Sequence, residues 1–155
     1  MDFQLGPYGL EIPTEFGPRV TGLRLGPGPN VMAVLDDDMG LGEGSDRYRF
    51  HGGHRIWASP EIPEISYAPD DHSCAVTERE GRITVIAPPD RAGIAKELSV
   101  RLDGDRLVVT NALVPATNSS AEIAPWAISQ LPGEGLAILP LNGEDTTPLP
   151  NQVGS

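Results

Sequence analysis

The side chains best equipped for chemistry lie in one run, Phe50-His51-Gly52-Gly53-His54-Arg55-Ile56-Trp57-Ala58-Ser59-Pro60-Glu61. Two imidazoles, which exchange protons near neutral pH, stand there beside a planar guanidinium fork and an indole. The paired glycines let backbone approach a ligand closely, and Trp57 offers an apolar platform for the C–H face of a sugar ring. The same run also reads as a kinked edge strand with a buried Trp and two surface histidines. A second concentration is Tyr67-Ala68-Pro69-Asp70-Asp71-His72. Acid–His neighbours can orient an imidazole or complete a metal site, and His51, His54, Asp70 and His72 together would supply enough zinc ligands. Yet His51 and His54 flank two glycines rather than sharing a helical face, so the spacing enforces no convergence, and a plain Pro-Asp-Asp turn is the better reading. The third is Ile123-Ala124-Pro125-Trp126-Ala127-Ile128-Ser129-Gln130, an apolar strand that carries an indole and ends in an amide. It suits a ligand wall and equally a core strand with a large filler.

The elements that must position these groups are short. Gly and Pro make up 34 of the 155 residues (18 plus 16), and the longest stretch free of both is Asp70 to Glu80. A membrane-spanning helix needs about 20 apolar residues, so none fits, and a helix bundle is excluded as well. Strand-like runs recur instead at Phe16–Leu25, Asn30–Leu35, His72–Thr77, Arg82–Ala87, Ile94–Leu102, Arg106–Val114, Ala121–Leu131 and Leu136–Leu139. Arg79-Glu80-Gly81 and Asp103-Gly104-Asp105 are hairpin turns with glycine placed for a positive φ, and the second hairpin is expected across a sheet interior. Residues 121–131 and 136–139 are expected to pair around Pro132-Gly133-Glu134-Gly135. This spacing predicts an all-β, antiparallel β-sandwich forming one domain over residues 1–155. The acidic stretch Asp36 to Asp46 reads as a solvated loop, because the alternating oxygen ligands and distal Glu of a calcium loop are missing.

Composition narrows the partners. Twenty-two acidic and eleven basic residues give a net charge of −11, a field that repels phosphate backbones and anionic lipid, so nucleic acid and membrane surfaces are not expected as partners. Lys96 is the sole lysine, and the remaining basic residues are arginines suited to bidentate contact with carboxylates or hydroxyl pairs, though codon bias explains the same preference. The single Cys74 has no partner for an internal disulfide, and Met1-Asp2-Phe3-Gln4 lacks the basic and apolar regions of a secretory signal, so the cytoplasm is the expected location.

Four segments carry a family likeness: Gly17-Pro18-Arg19-Val20 with Leu23 and Leu25, then Gly52 to Glu61, then Tyr67 to Asp70, then Ala124 to Gln130. Together they resemble the galactose mutarotase-like (aldose 1-epimerase-like) superfamily, in its branch with Gly-Gly-His-Arg-x-Trp-x-x-Pro-Glu and Ala-Pro-Trp-Ala motifs. The resemblance covers nearly the whole chain but about half of the family's supersandwich, its N-terminal half. It implies a small-molecule carbohydrate ligand; no cofactor and no metal is expected. Arg55-Ile56 matches the family's substrate-contacting Arg-Ile, while His54 stands where the family has Asn. Where mutarotases carry the His that protonates the ring oxygen, this chain has Pro125-Trp126. The family's carboxylate base belongs to the other half. The resemblance therefore implies sugar binding by His54, Arg55, Trp57, Glu61, Tyr67, Asp70, Trp126 and Gln130, without the acid–base pair that mutarotation needs. Two other readings stand beside it. One is an epimerase using His54 or His51 as catalytic acid with a base from another chain or half. The other is an assembly module that pairs through open sheet edges with a second copy or a complementary half.

Overall fold

The computed structural model describes residues 1–36, 39–116, 122–136 and 138. Almost all regular structure in it is antiparallel strand. Strands β1 (Asp2–Leu5) and β2 (Tyr8–Glu11) form a hairpin around Gly6-Pro7, with Gly6 at the positive φ of 56° that so tight a turn requires. β3 (Arg19–Val20) and β4 (Gly22–Leu25) follow, and β4 joins β2 to complete the sheet β1-β2-β4. A two-stranded pair, β5 (Gly40–Leu41) and β6 (Tyr48–Arg49), leads into β7 (His54–Ser59) and a single-turn helix α1 (Pro63–Ser66). β8 (Ala75–Arg79), β9 (Arg82–Ile86), β10 (Ile94–Asp103) and β11 (Arg106–Pro115) build a sheet in the order β11-β10-β9-β8. The last strand among the described residues, β12 (Ala124–Ser129), returns to β7 in a third sheet, β12-β7-β3.

The apolar core joins the first two large sheets. Leu5, Leu10 and Ile12 from the N-terminal hairpin meet Ile83, Val85, Leu98 and Val100 from β9 and β10 in one buried cluster, with Val20 and Cys74 at its margin. Alternation explains the choice: Leu98 and Val100 are two apart on β10, and their cross-strand partners Val85 and Ile83 fall on the same face. Each fully buried aliphatic side chain contributes about 1.5–3 kcal/mol. One ion pair is buried near this core. Lys96 Nζ stands 3.1 Å from Asp90 Oδ2, and Asp90 Oδ1 accepts from the N–H groups of Ala92 and Ile94.

The all-β expectation holds, and the strands expected at 82–87, 94–102 and 106–114 lie close to their places. Two expectations change. The run His54–Ser59 is a central strand between β12 and β3, not an edge. Of the long hairpin, β10 is interior but β11 is an edge. β12 pairs with β7; the segment expected to pair with it, residues 136–139, lies partly outside the described residues, and Leu136 and Ile138 are exposed. The N-terminal hairpin leaves little trace in the sequence, because Gly9 and Pro7 break its short apolar alternation. Residues 30–35 contribute a single bridge, Val34 to Gly52. Part of the acidic loop, residues 37 and 38, lies outside the described residues. Among the described residues no helix is long and apolar enough to cross a membrane.

Candidate functional site

The third sheet carries the site. Cross-strand partners in an antiparallel ladder project to the same face, so the pairs Arg19–Arg55 and Trp57–Trp126 put two guanidiniums and two indoles on one side of β3, β7 and β12. His54 and Ser129 project to the other side. The register depends on the turn before β7, where His51, Gly52 and Gly53 all have positive φ (49°, 81° and 74°). A Cβ on Gly52 would collide with the Ala33 carbonyl and one on Gly53 with the Val20 carbonyl. The two glycines thus admit the chain's own backbone.

On the first face Arg19 is fully buried. It donates to Asp70 Oδ2 at 2.7 Å, to Tyr48 Oη at 2.6 Å and to the Phe50 and Gly52 carbonyls at 2.8 and 3.2 Å. Burial pulls its pKa down, but the neighbouring Asp70 and Tyr48 more than offset this, and the net shift is upward. Burial also raises the Tyr48 phenol, reinforced by the Asp70 charge. Tyr48 Oη accepts a second hydrogen bond from the Trp57 indole N–H at 2.7 Å. Arg55 lies over the Trp57 ring, 4.2 Å from its centroid, and donates to the Phe50 carbonyl and to Gln130 Oε1 at 3.1 and 2.9 Å. Desolvation lowers its pKa. At 4 % exposure Arg55 is a buried strut, as are Asp70 and Trp57 at 5 % and 6 %.

Aromatic side chains reach solvent at two places on this face. The Trp57 ring meets Tyr67 edge-on at 4.8 Å and Trp126 edge-on at 5.5 Å, forming a row Tyr67–Trp57–Trp126. Trp126 at its far end is 38 % exposed. Tyr67 at the near end donates its hydroxyl to the exposed Glu61 and lines a cleft of about 400 Å³ with Leu41, Asp46, Pro63, Glu64 and Arg91. Arg91 pairs with Asp46 across this cleft at 2.7 Å. Beside the Trp126 end, Ser59, Pro60, Glu122 and Ile123 border a shallower groove.

The histidines are held apart from the row and from each other. His51 is buried, stacked on Phe16 at 3.9 Å, with Nε2 2.8 Å from Asp71 Oδ1; Arg49 grips the other oxygen of Asp71. His54 stands with Nδ1 2.8 Å from Ser129 Oγ and Nε2 against the Asn111 amide, and burial lowers its pKa, partly offset by Asn111. Among the described residues no three His, Cys, Asp or Glu side chains group as a metal would require. The structure therefore joins the first two motifs through Asp71 and His51, while Asp70 is bound to Arg19, which lies outside both. Tyr48 and Asn111 lie outside all three concentrations, and Asp71 and Ser129 stand inside them with no individual role assigned by the sequence. Only the likeness segment Gly17-Pro18-Arg19-Val20 hinted at Arg19. Compared with known proteins, the chain matches no family model, no curated protein and no solved structure.

Proposed function

We propose that this chain is a carbohydrate-binding, mutarotase-like β-sandwich domain that holds a sugar without carrying out the family's acid–base chemistry. The observation that carries this reading is the aromatic row Tyr67–Trp57–Trp126, open at both ends. An exposed indole braced edge-on by a second, buried indole is a rigid apolar platform for a sugar ring's C–H face. Glu61, Glu64, Asp46 and Arg91 supply acceptors and donors for hydroxyl groups at the Tyr67 end. Trp126, Tyr67 and Gln130 join these cleft side chains as the binding groups. Arg55, Trp57, Asp70 and their network position them from below. The sharing of one buried cluster by two sheets supports the sandwich, and the acidic charge disfavours nucleic acid or an anionic membrane as the partner.

The test is isothermal titration calorimetry of the chain with a panel of neutral aldoses. Weak, saturable binding of at least one sugar that is lost in Trp126→Ala supports the reading. No heat with any sugar, or binding indifferent to Trp126, removes it. Polarimetry on the same samples addresses the isomerase alternative. Both ring nitrogens of His54 already face side-chain partners, so no acceleration of anomer interconversion is expected.

A further inference from the structure

We propose that the outer edge of β11 receives β11 of a second copy of this chain, antiparallel and about a two-fold axis, an inference independent of sugar binding. In the β10–β11 ladder the Ala116 N–H donates to the Gly93 carbonyl, and the continuous register fixes the phase of every residue before it. Even-numbered residues of β11 bond to β10. Leu107, Val109, Asn111 and Leu113 turn their N–H and C=O groups outward, and among the described residues no backbone group pairs with them. Unpaired strand edges template pairing unless they are blunted.

The other edges are blunted. β12 carries Pro125 in the phase that faces away from β7, because the Gln130 N–H, five residues on, donates to Gly53. The edge of β4 is covered by Asn30 and Val31, which bond to Leu23. β8 ends in Glu78-Arg79, and β1, β3, β5 and β6 are short. From Leu107 to Val114 the β11 edge has no charge, no Pro and no Gly. In a chain of net charge −11 it is where two copies meet with least repulsion.

The occupant follows from self-complementarity. Outward groups sit on odd residues, so a two-fold antiparallel register must run through a residue. Centring it on Thr110 uses every outward amide. Leu107 then faces Leu113, Val108 faces Ala112, Val109 faces Asn111 and Thr110 faces its own copy, with no like charges opposed. The pairing would cover Val109, which is 39 % exposed. It is isologous and closes on itself, so it stops at a dimer.

Light scattering coupled to size exclusion, across a wide range of protein concentration, is the test. The wild-type chain is expected at twice its 16.5 kDa mass. Val109→Lys and Val109→Pro, which charge the edge or remove one outward donor, should raise the dimer dissociation constant at least about tenfold with an unchanged far-UV spectrum. Ala75→Lys, on the β8 edge, should leave the dimer intact. Amide exchange on the wild-type chain needs no variant: the Leu107, Val109, Asn111 and Leu113 amides should gain protection as concentration rises. A monomer at all concentrations, a species larger than a dimer, a folded Val109 variant that still dimerises, or no concentration-dependent protection of these amides would overturn the proposal.

Discussion

Arg19 and Asp70, fifty-one residues apart in the chain, form a buried ion pair at 2.7 Å whose side chains are 0 % and 6 % exposed. The pair ties β3 to the segment after α1 and so fixes the floor on which the aromatic row stands. Removing one partner of such a pair leaves the other charge buried and uncompensated, at a cost of about 3–5 kcal/mol. Asp70→Asn and Arg19→Met should each lower the urea midpoint accordingly. The double variant should lose less than the sum of the two, which a double-mutant cycle reads directly.

Tyr48 should matter through its hydroxyl more than its ring. Tyr48→Phe keeps the edge-to-face contact with Trp57 but strips acceptors from both the Trp57 indole and the Arg19 guanidinium. Leaving buried donors unsatisfied costs about 1–3 kcal/mol. Equilibrium denaturation should show that loss, and a fully neutral substitution would contradict the hydrogen-bond geometry.

His54 should make stability depend on pH. An imidazole held below its ordinary value takes up its proton more readily in the unfolded chain. Its contribution is therefore complete above about pH 6.5 and is lost as pH falls from there through the folded value. His54→Gln should flatten the difference in urea midpoint between neutral and mildly acidic buffer. An NMR titration placing the His54 pKa above the ordinary value would reverse the sign and refute the prediction.

Cys74 is buried, and desolvation pushes its thiol up to about 11. The folded chain should therefore react slowly with Ellman's reagent at mildly alkaline pH and rapidly once denatured. Because an unfolded thiol ionises near pH ~8.5, this group also subtracts stability as pH rises from there toward the folded value.

Strand positions were legible where the code is local. The Asp103-Gly104-Asp105 turn between β-rich runs announces β10 and β11, and Glu80-Gly81 announces β8 and β9. The site was legible in its residue types but not in its burial. Arg55 and Trp57 look like ligand contacts in sequence because nothing local reveals that Phe50, Tyr48 and Gln130 close over them. The Gly52-Gly53 pair reads as room for a ligand, yet the space is filled by the Ala33 and Val20 carbonyls. Long-range pairings such as Arg19–Asp70 and His51–Asp71 leave no periodic trace.

That burial dictates which substitutions can test binding. Trp57→Ala removes a buried indole and should cost about 3–5 kcal/mol, so a loss of binding there would report unfolding. Trp126→Ala acts on an exposed ring, and its thermal midpoint should stay within a few degrees of wild type.

The most direct measurement is therefore a titration of intrinsic fluorescence with neutral aldoses in wild-type protein and in folded Trp126→Ala. The chain holds two tryptophans, one buried and one exposed, so a sugar seated on the row must perturb the exposed indole. A saturable change in wild type that disappears in Trp126→Ala is the predicted result. A flat response to every sugar, or a response that survives without Trp126, would contradict the account.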